Sequence, residues 1–157
     1  MKSLYQKRQW LELLKFVRKK YIVHIHVDNK RTDCKHFPVG SAIADAHAFL
    51  RCFQKYVNTN DDTELKNFRY NPKGKHVISI IHNKKEPYEV LSTCIIHEYG
   101  HALMYSKYTE NQLKRMSLVR REVMAWSLGK KSVSSHLIPP EYVFSYVKEK
   151  ALSSYTY

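Results

Sequence analysis

The sequence predicts a single small α+β domain with helices on one face of a short sheet. Three observations lead there. The chain has 157 residues, the length of one domain. Its apolar share of 43% is enough for one modest core. Its hydrophobic period switches between helix and strand in the order α-β-α-β-β-α-α-α. Only four glycines and five prolines, with no internal repeat, leave little room for linkers, so residues 1–157 read as one unit.

Residues 3–20 read as an amphipathic helix, because Trp10, Leu13, Leu14, Val17 and Tyr21 recur at helical spacing. The run YIVHIHV, 21–27, alternates and is β-branched, which predicts a strand. Ser41 caps a second predicted helix to about Val57, with Ala42, Ala46, Phe49, Leu50, Phe53 and Val57 as its stripe. Asn60-Asp61-Asp62 reads as a loop. Asn71-Pro72-Lys73-Gly74 suits a type I turn, so 66–82 reads as a hairpin. Pro87 opens a helix to about Tyr108, a further helix covers 111–130, and Pro139-Pro140 starts a last one to about Leu152.

The formal net charge is +13, and it is unevenly spread. Residues 1–20 hold seven Lys/Arg against one Glu, and residues 111–131 hold six against one. Such faces suit nucleic acid, an acidic protein, an anionic membrane surface or simply solvent. No apolar run approaches the ~18 residues of a membrane span. Lys7, Arg8 and Glu12 interrupt the N-terminal apolar stretch, unlike a signal peptide. Cys34, Cys52 and Cys94 are odd in number and fit no disulfide framework or zinc knuckle. The expectation is a soluble, cytoplasmic chain with reduced thiols.

Within the 87–108 helix stands His97-Glu98-Tyr99-Gly100-His101, an HExxH string. With nine histidines and nine glutamates in the chain, chance supplies it roughly 0.03 times. Residues four apart share a helix face, so His97 and His101 can aim two imidazoles at one ion. Glu98 lies about 100° round from His97, near enough to reach a water at that ion without ligating it. Val90, Cys94, Met104 and Tyr105 flank the histidines at helical spacing, a stripe that looks buried. Imidazoles buried there need hydrogen-bonding or metal partners.

Zinc takes two imidazoles and a carboxylate and keeps a fourth position open. The extended HExxHxxGxxH pattern is absent, since Met104 and Lys107 stand where it requires Gly and His. Glu110 looks like a loop or cap residue. Glu122 instead sits among Leu118, Val119, Ala125, Trp126 and Gly129 on the next helix. A carboxylate in an apolar stripe must be paired or bound to metal. An antiparallel helix pair brings that stripe onto the histidine face, so Glu122 is the best third ligand. Burial against an Arg or Lys remains the alternative for Glu122, and His136 the alternative ligand. His24 and His26 share one face of a strand and are a weaker second metal candidate. His82, Tyr88, Tyr105 and Tyr108 are candidates to steady an oxyanion, with no choice among them. Cys94, one turn before His97, reads as a structural thiol.

HEYGH followed by E-x-x-A-W resembles the gluzincin-type zinc metallopeptidases, most of all the minimal bacterial and phage-type branch that includes the ImmA/IrrE proteins. The resemblance spans about residues 75–130 and is specific at His97, Glu98, Gly100, His101 and Glu122. It implies a zincin-like fold, with a short mixed sheet packed against an active-site helix and a ligand-bearing second helix. It also implies an edge strand, here His76–His82, that holds an extended peptide. The activity implied is endopeptidase cleavage of a protein substrate, which in some members is a repressor-like regulator.

The resulting expectation is a Zn²⁺ endopeptidase. His97, His101 and Glu122 hold the metal, and Glu98 is the general base. The alternative from another class is a basic module that binds nucleic acid or an acidic protein, the protease being DNA-recruited or the fold inactive.

Overall fold

Helix α1 (Lys7–Arg18) buries Trp10, Leu13, Leu14 and Val17, the stripe its sequence spells. The computed structural model describes residues 5–28, 33–39, 59 and 75–154. Gln6 opens α1, its backbone N–H donating to Gln9 Oε1 at 2.8 Å. Lys15 and Arg18 complement the helix dipole at the other end.

Three strands form a mixed sheet in the order β1-β3-β2. β1 (Ile22–Asp28) runs parallel to β3 (Lys75–Asn83), with Ile25 opposite Ile80. β2 (Asp33–Val39) runs antiparallel to β3, with Cys34 opposite Ile80. Ile78 and Ile80 are fully buried, two residues apart, and mark the core face of β3.

Two expectations change here. β2 falls where no strand was expected: Pro38 and the interleaved Asp33, Lys35 and His36 obscure the pattern of DCKHFPV. Proline is tolerated because β2 is an outer strand among the described residues. The segment His76–His82 is not an edge strand; it lies in β3, paired on both sides. The first arm of the expected 66–82 hairpin and the expected helix at 41–57 lie outside the described residues.

Helix α2 (Tyr88–Lys107) is the centre of the molecule and touches the sheet, α1 and both later long helices. Its 20 residues span about 30 Å. Pro87 precedes it in extended conformation. Leu91, Ile95, Ile96, Ala102 and Met104 are fully buried. Tyr99 meets Phe16 of α1 and Tyr21 edge-on, with centroids 5.9 and 5.6 Å away. Tyr21 Oη and Ser106 Oγ share a hydrogen bond of 3.1 Å, so α2 is clasped from α1's end.

The expected 111–130 helix is two helices. The five-residue α3 (Glu110–Lys114) is closed by a capping box between Thr109 and Gln112. Ser117 then caps α4 (Leu118–Ser132) by accepting the Arg120 N–H at 3.1 Å. A 3₁₀ turn at Ser135–Leu137 leads to α5 (Glu141–Ser153), which follows Pro140. Lys130 Nζ meets Glu141 Oε2 at 2.7 Å, pinning α5 to the end of α4. Tyr5 Oη donates to the Leu137 carbonyl at 2.7 Å and ties the segment before α1 to the 3₁₀ turn. No helix among the described residues is long and apolar enough to cross a membrane.

Candidate metal centre

Two glycines let α2 and α4 touch backbone to backbone. A Cβ on Gly100 would lie 1.8 Å from the Ala125 carbonyl oxygen, and one on Gly129 would lie 2.2 Å from that of Ile96. Real side chains cannot approach so closely, so both positions require hydrogen. The contacts pair the middle of α2 with the later turns of α4, which makes the helices antiparallel. Glu122, in the second turn of α4, is thereby brought to His97 and His101.

Three ligand atoms meet there. His97 Nε2 lies 3.0 Å and His101 Nε2 3.2 Å from Glu122 Oε2. The two Nε2 atoms are 3.1 Å apart. A tetrahedral ion with bonds of about 2.0–2.1 Å separates its ligands by about 3.3 Å, so this triangle is close to the size such an ion needs. Glu122 is 7% exposed, and the imidazole side chains are nearly as deep. The group could hold a metal ion, and it is the single such group among the described residues.

The electrostatics of the metal-free group follow from sharing one carboxylate between two imidazoles. Burial alone would raise the Glu122 carboxyl. Hydrogen bonds and positive charge from His101 and His97 outweigh that and hold it at about 2. Burial pushes His97 down, only partly opposed by Glu122. Burial also acts against charge on His101, but its hydrogen bond to Glu122 and the charges of Glu98 and Glu122 raise it overall. The shared carboxylate thus leaves the two rings pushed in opposite directions, His101 up and His97 down.

Glu98 is buried at 8% exposure, beside the triangle but not in it. Its charge is felt at His101, which puts it within electrostatic reach of the group. Glu122 faces imidazoles, not the Arg or Lys that was its alternative environment. His136 is not a ligand; its Nε2 pairs with Glu12 Oε2 at 3.5 Å on the surface. Glu110 begins α3. Cys94 is a half-buried free thiol. The His82 ring lies between Trp10 and Tyr88, with centroids 6.4 and 6.5 Å away. The side chains of His24 and His26 lie outside the described residues.

Sequence reasoning missed the part played by Trp126. Its indole stacks on His97 at 4.2 Å between centroids and 24° between planes, and meets Phe144 of α5 edge-on at 5.5 Å. The signal was present, since Trp126 stands four residues after Glu122, on the same face of α4. An apolar residue at that spacing reads as core, and Trp126 is also core. No family profile, curated protein or solved structure matches the chain.

Proposed function

We propose that this protein is a zinc-dependent endopeptidase of zincin-like architecture, acting in the cytoplasm on a protein or peptide substrate. The observation that carries the reading is the meeting of His97, His101 and Glu122 within hydrogen-bond distance of one another, with a buried Glu98 beside them. Two nitrogens and one carboxylate oxygen are a donor set that suits Zn²⁺ and leaves one coordination position for chemistry. A bound zinc ion would lower the pKa of a water and polarise the peptide carbonyl.

The chain's own residues supply the rest. His97, His101 and Glu122 hold the ion between two helices that the glycine contacts keep in register. Glu98 takes a proton from the attacking water as its oxygen bonds to the carbonyl carbon. It then gives that proton to the amide nitrogen as the C–N bond breaks, so one carboxylate serves both half-steps.

The test is metal analysis together with cleavage of a fluorogenic peptide library. The purified chain is expected to hold about one zinc, and His97→Ala and Glu122→Ala to lose it. Glu98→Gln is expected to keep the metal and abolish cleavage. A chain that binds no zinc, or unchanged cleavage by Glu98→Gln, overturns the reading.

A second reading, a nucleic-acid-binding face, is favoured by one observation. Lys20 and Lys107 line a shallow hollow of about 280 Å³ with Leu103, Ser106, Leu128 and Ser132. Lys19 and Lys131 neighbour its lining in sequence. Binding through such a face would fall steeply with added salt, and a protease recruited to DNA would combine both readings. Absence of duplex DNA binding at low salt removes this second reading.

A further inference from the structure

A histidine that binds a metal through one nitrogen is normally oriented by a hydrogen bond from the other to a carboxylate, a carbonyl or water. His97 departs from that arrangement. Its Nε2 faces the carboxylate, while its Nδ1 is buried and has no hydrogen-bond partner among the described residues. No hydrogen bond at Nδ1 therefore backs the ring from the side away from Glu122. What lies against the ring is flat: the Trp126 indole, stacked at 4.2 Å and 24°. Trp126 is itself 2% exposed, and its edge is braced by Phe144 at 87°. Its own Nε1 is likewise buried without a partner among the described residues, so no hydrogen bond explains its placement.

We infer that Trp126 is a positioning residue, whose stacking against His97 holds the imidazole in the plane that aims Nε2 at the metal, in place of the usual hydrogen bond. The inference rests on the metal reading above. Turning the imidazole about its Cβ–Cγ bond would drive a ring edge into the indole face, so the stack restricts that rotation. Because Trp126 and Glu122 stand four apart on α4, one helix delivers both the third ligand and the wall that orients the first. Phe144 extends the support to α5, whose start is pinned to α4 by the Lys130–Glu141 pair.

The test compares Trp126→Phe, which keeps a stacking ring, with Trp126→Leu, which keeps an apolar filler without a plane. Zinc affinity is measured by competition with a chromophoric chelator, and folding by circular dichroism. Trp126→Leu is expected to bind zinc about 10-fold or more weakly, the size of effect that loss of an outer-shell partner has. Trp126→Phe is expected to stay within about threefold of the parent. Folded Trp126→Leu with parental affinity overturns the inference, as does an equal loss in both variants, which would make Trp126 a mere filler. Where Trp126→Leu does not fold, proton NMR of the zinc-loaded parent decides. The His97 ring protons are expected upfield of those of His101, displaced by the indole ring current, and no displacement overturns the stack. A parent chain that binds no zinc fails the metal reading itself, whereas parental binding with an insensitive Trp126→Leu fails this inference alone.

Discussion

Two neighbouring carboxylates, Glu122 and Glu98, stand in different surroundings. Glu122 sits on two imidazoles and is held ionised down to about pH 2, which suits a ligand. Glu98 is buried outside the ligand triangle, which suits a group that exchanges protons. The metal-free protein should show the consequence in its stability. A depressed carboxyl contributes above its ordinary value near 4.5, and the contribution is lost as pH falls towards 2. The raised His101 contributes below 6.5, and its share is lost as pH rises through its elevated value. The His101–Glu122 pair therefore stabilises the metal-free chain between those limits. Melting temperature against pH should show the gap between the parent and Glu122→Gln narrowing below pH 4.5. The same proton competes with metal, so zinc affinity should fall as His101 becomes protonated, with proton release on binding visible in weakly buffered solution.

At the scale of elements, the α2–α4 contact governs the site. Gly129→Ala would gain about 1 kcal/mol of helix propensity. Its new methyl would also meet the Ile96 carbonyl at 2.2 Å, and a backbone atom cannot swing aside. Overpacking of this kind costs about 1–3 kcal/mol, so the clash should win. The expected outcome is a lower melting temperature together with weaker zinc binding, checked by thermal denaturation and zinc titration. Unchanged zinc affinity would mean that the spacing of the two helices does not set the position of Glu122. The helices themselves were legible in the sequence, because the stripe of α1, Pro87 before α2 and Pro140 before α5 are local signals. His97, His101 and Glu122 were legible for the same reason: helical spacing fixes the first two, and a lone acid in an apolar stripe marks the third. β2 was hidden by Pro38, and the break before α4 by a continuous run of helix-forming residues on either side of Ser117. The central place of β3 could not be read at all, since strand order depends on contacts between distant segments. The stacking of Trp126 was hidden because spacing tells which face a ring occupies, not what it lies against.

At the scale of the whole molecule, a metal held by His97, His101 and Glu122 would join α2 to α4 and become part of folding stability. Anything that binds only the folded chain stabilises it by RT ln(1 + [L]/Kd), about 2.7 kcal/mol at a hundredfold excess over Kd. A chelator should therefore lower the melting temperature, and restored zinc should recover it; a melting temperature indifferent to both would separate the site from the fold. Net charge of +13 adds mutual repulsion, so moderate salt should stabilise the metal-free chain independently of zinc.

Glu122 meets His101 across a sequence separation of only 21, whereas the sheet must bring Ile22 beside Val77. Short-range helical pairings close sooner than such distant strand pairings. The corner made by His97, His101 and Glu122 is thus able to mature while the strands are still searching for one another. Zinc present at the start of refolding should act as an early staple, quickening the return to the native state as well as slowing departure from it.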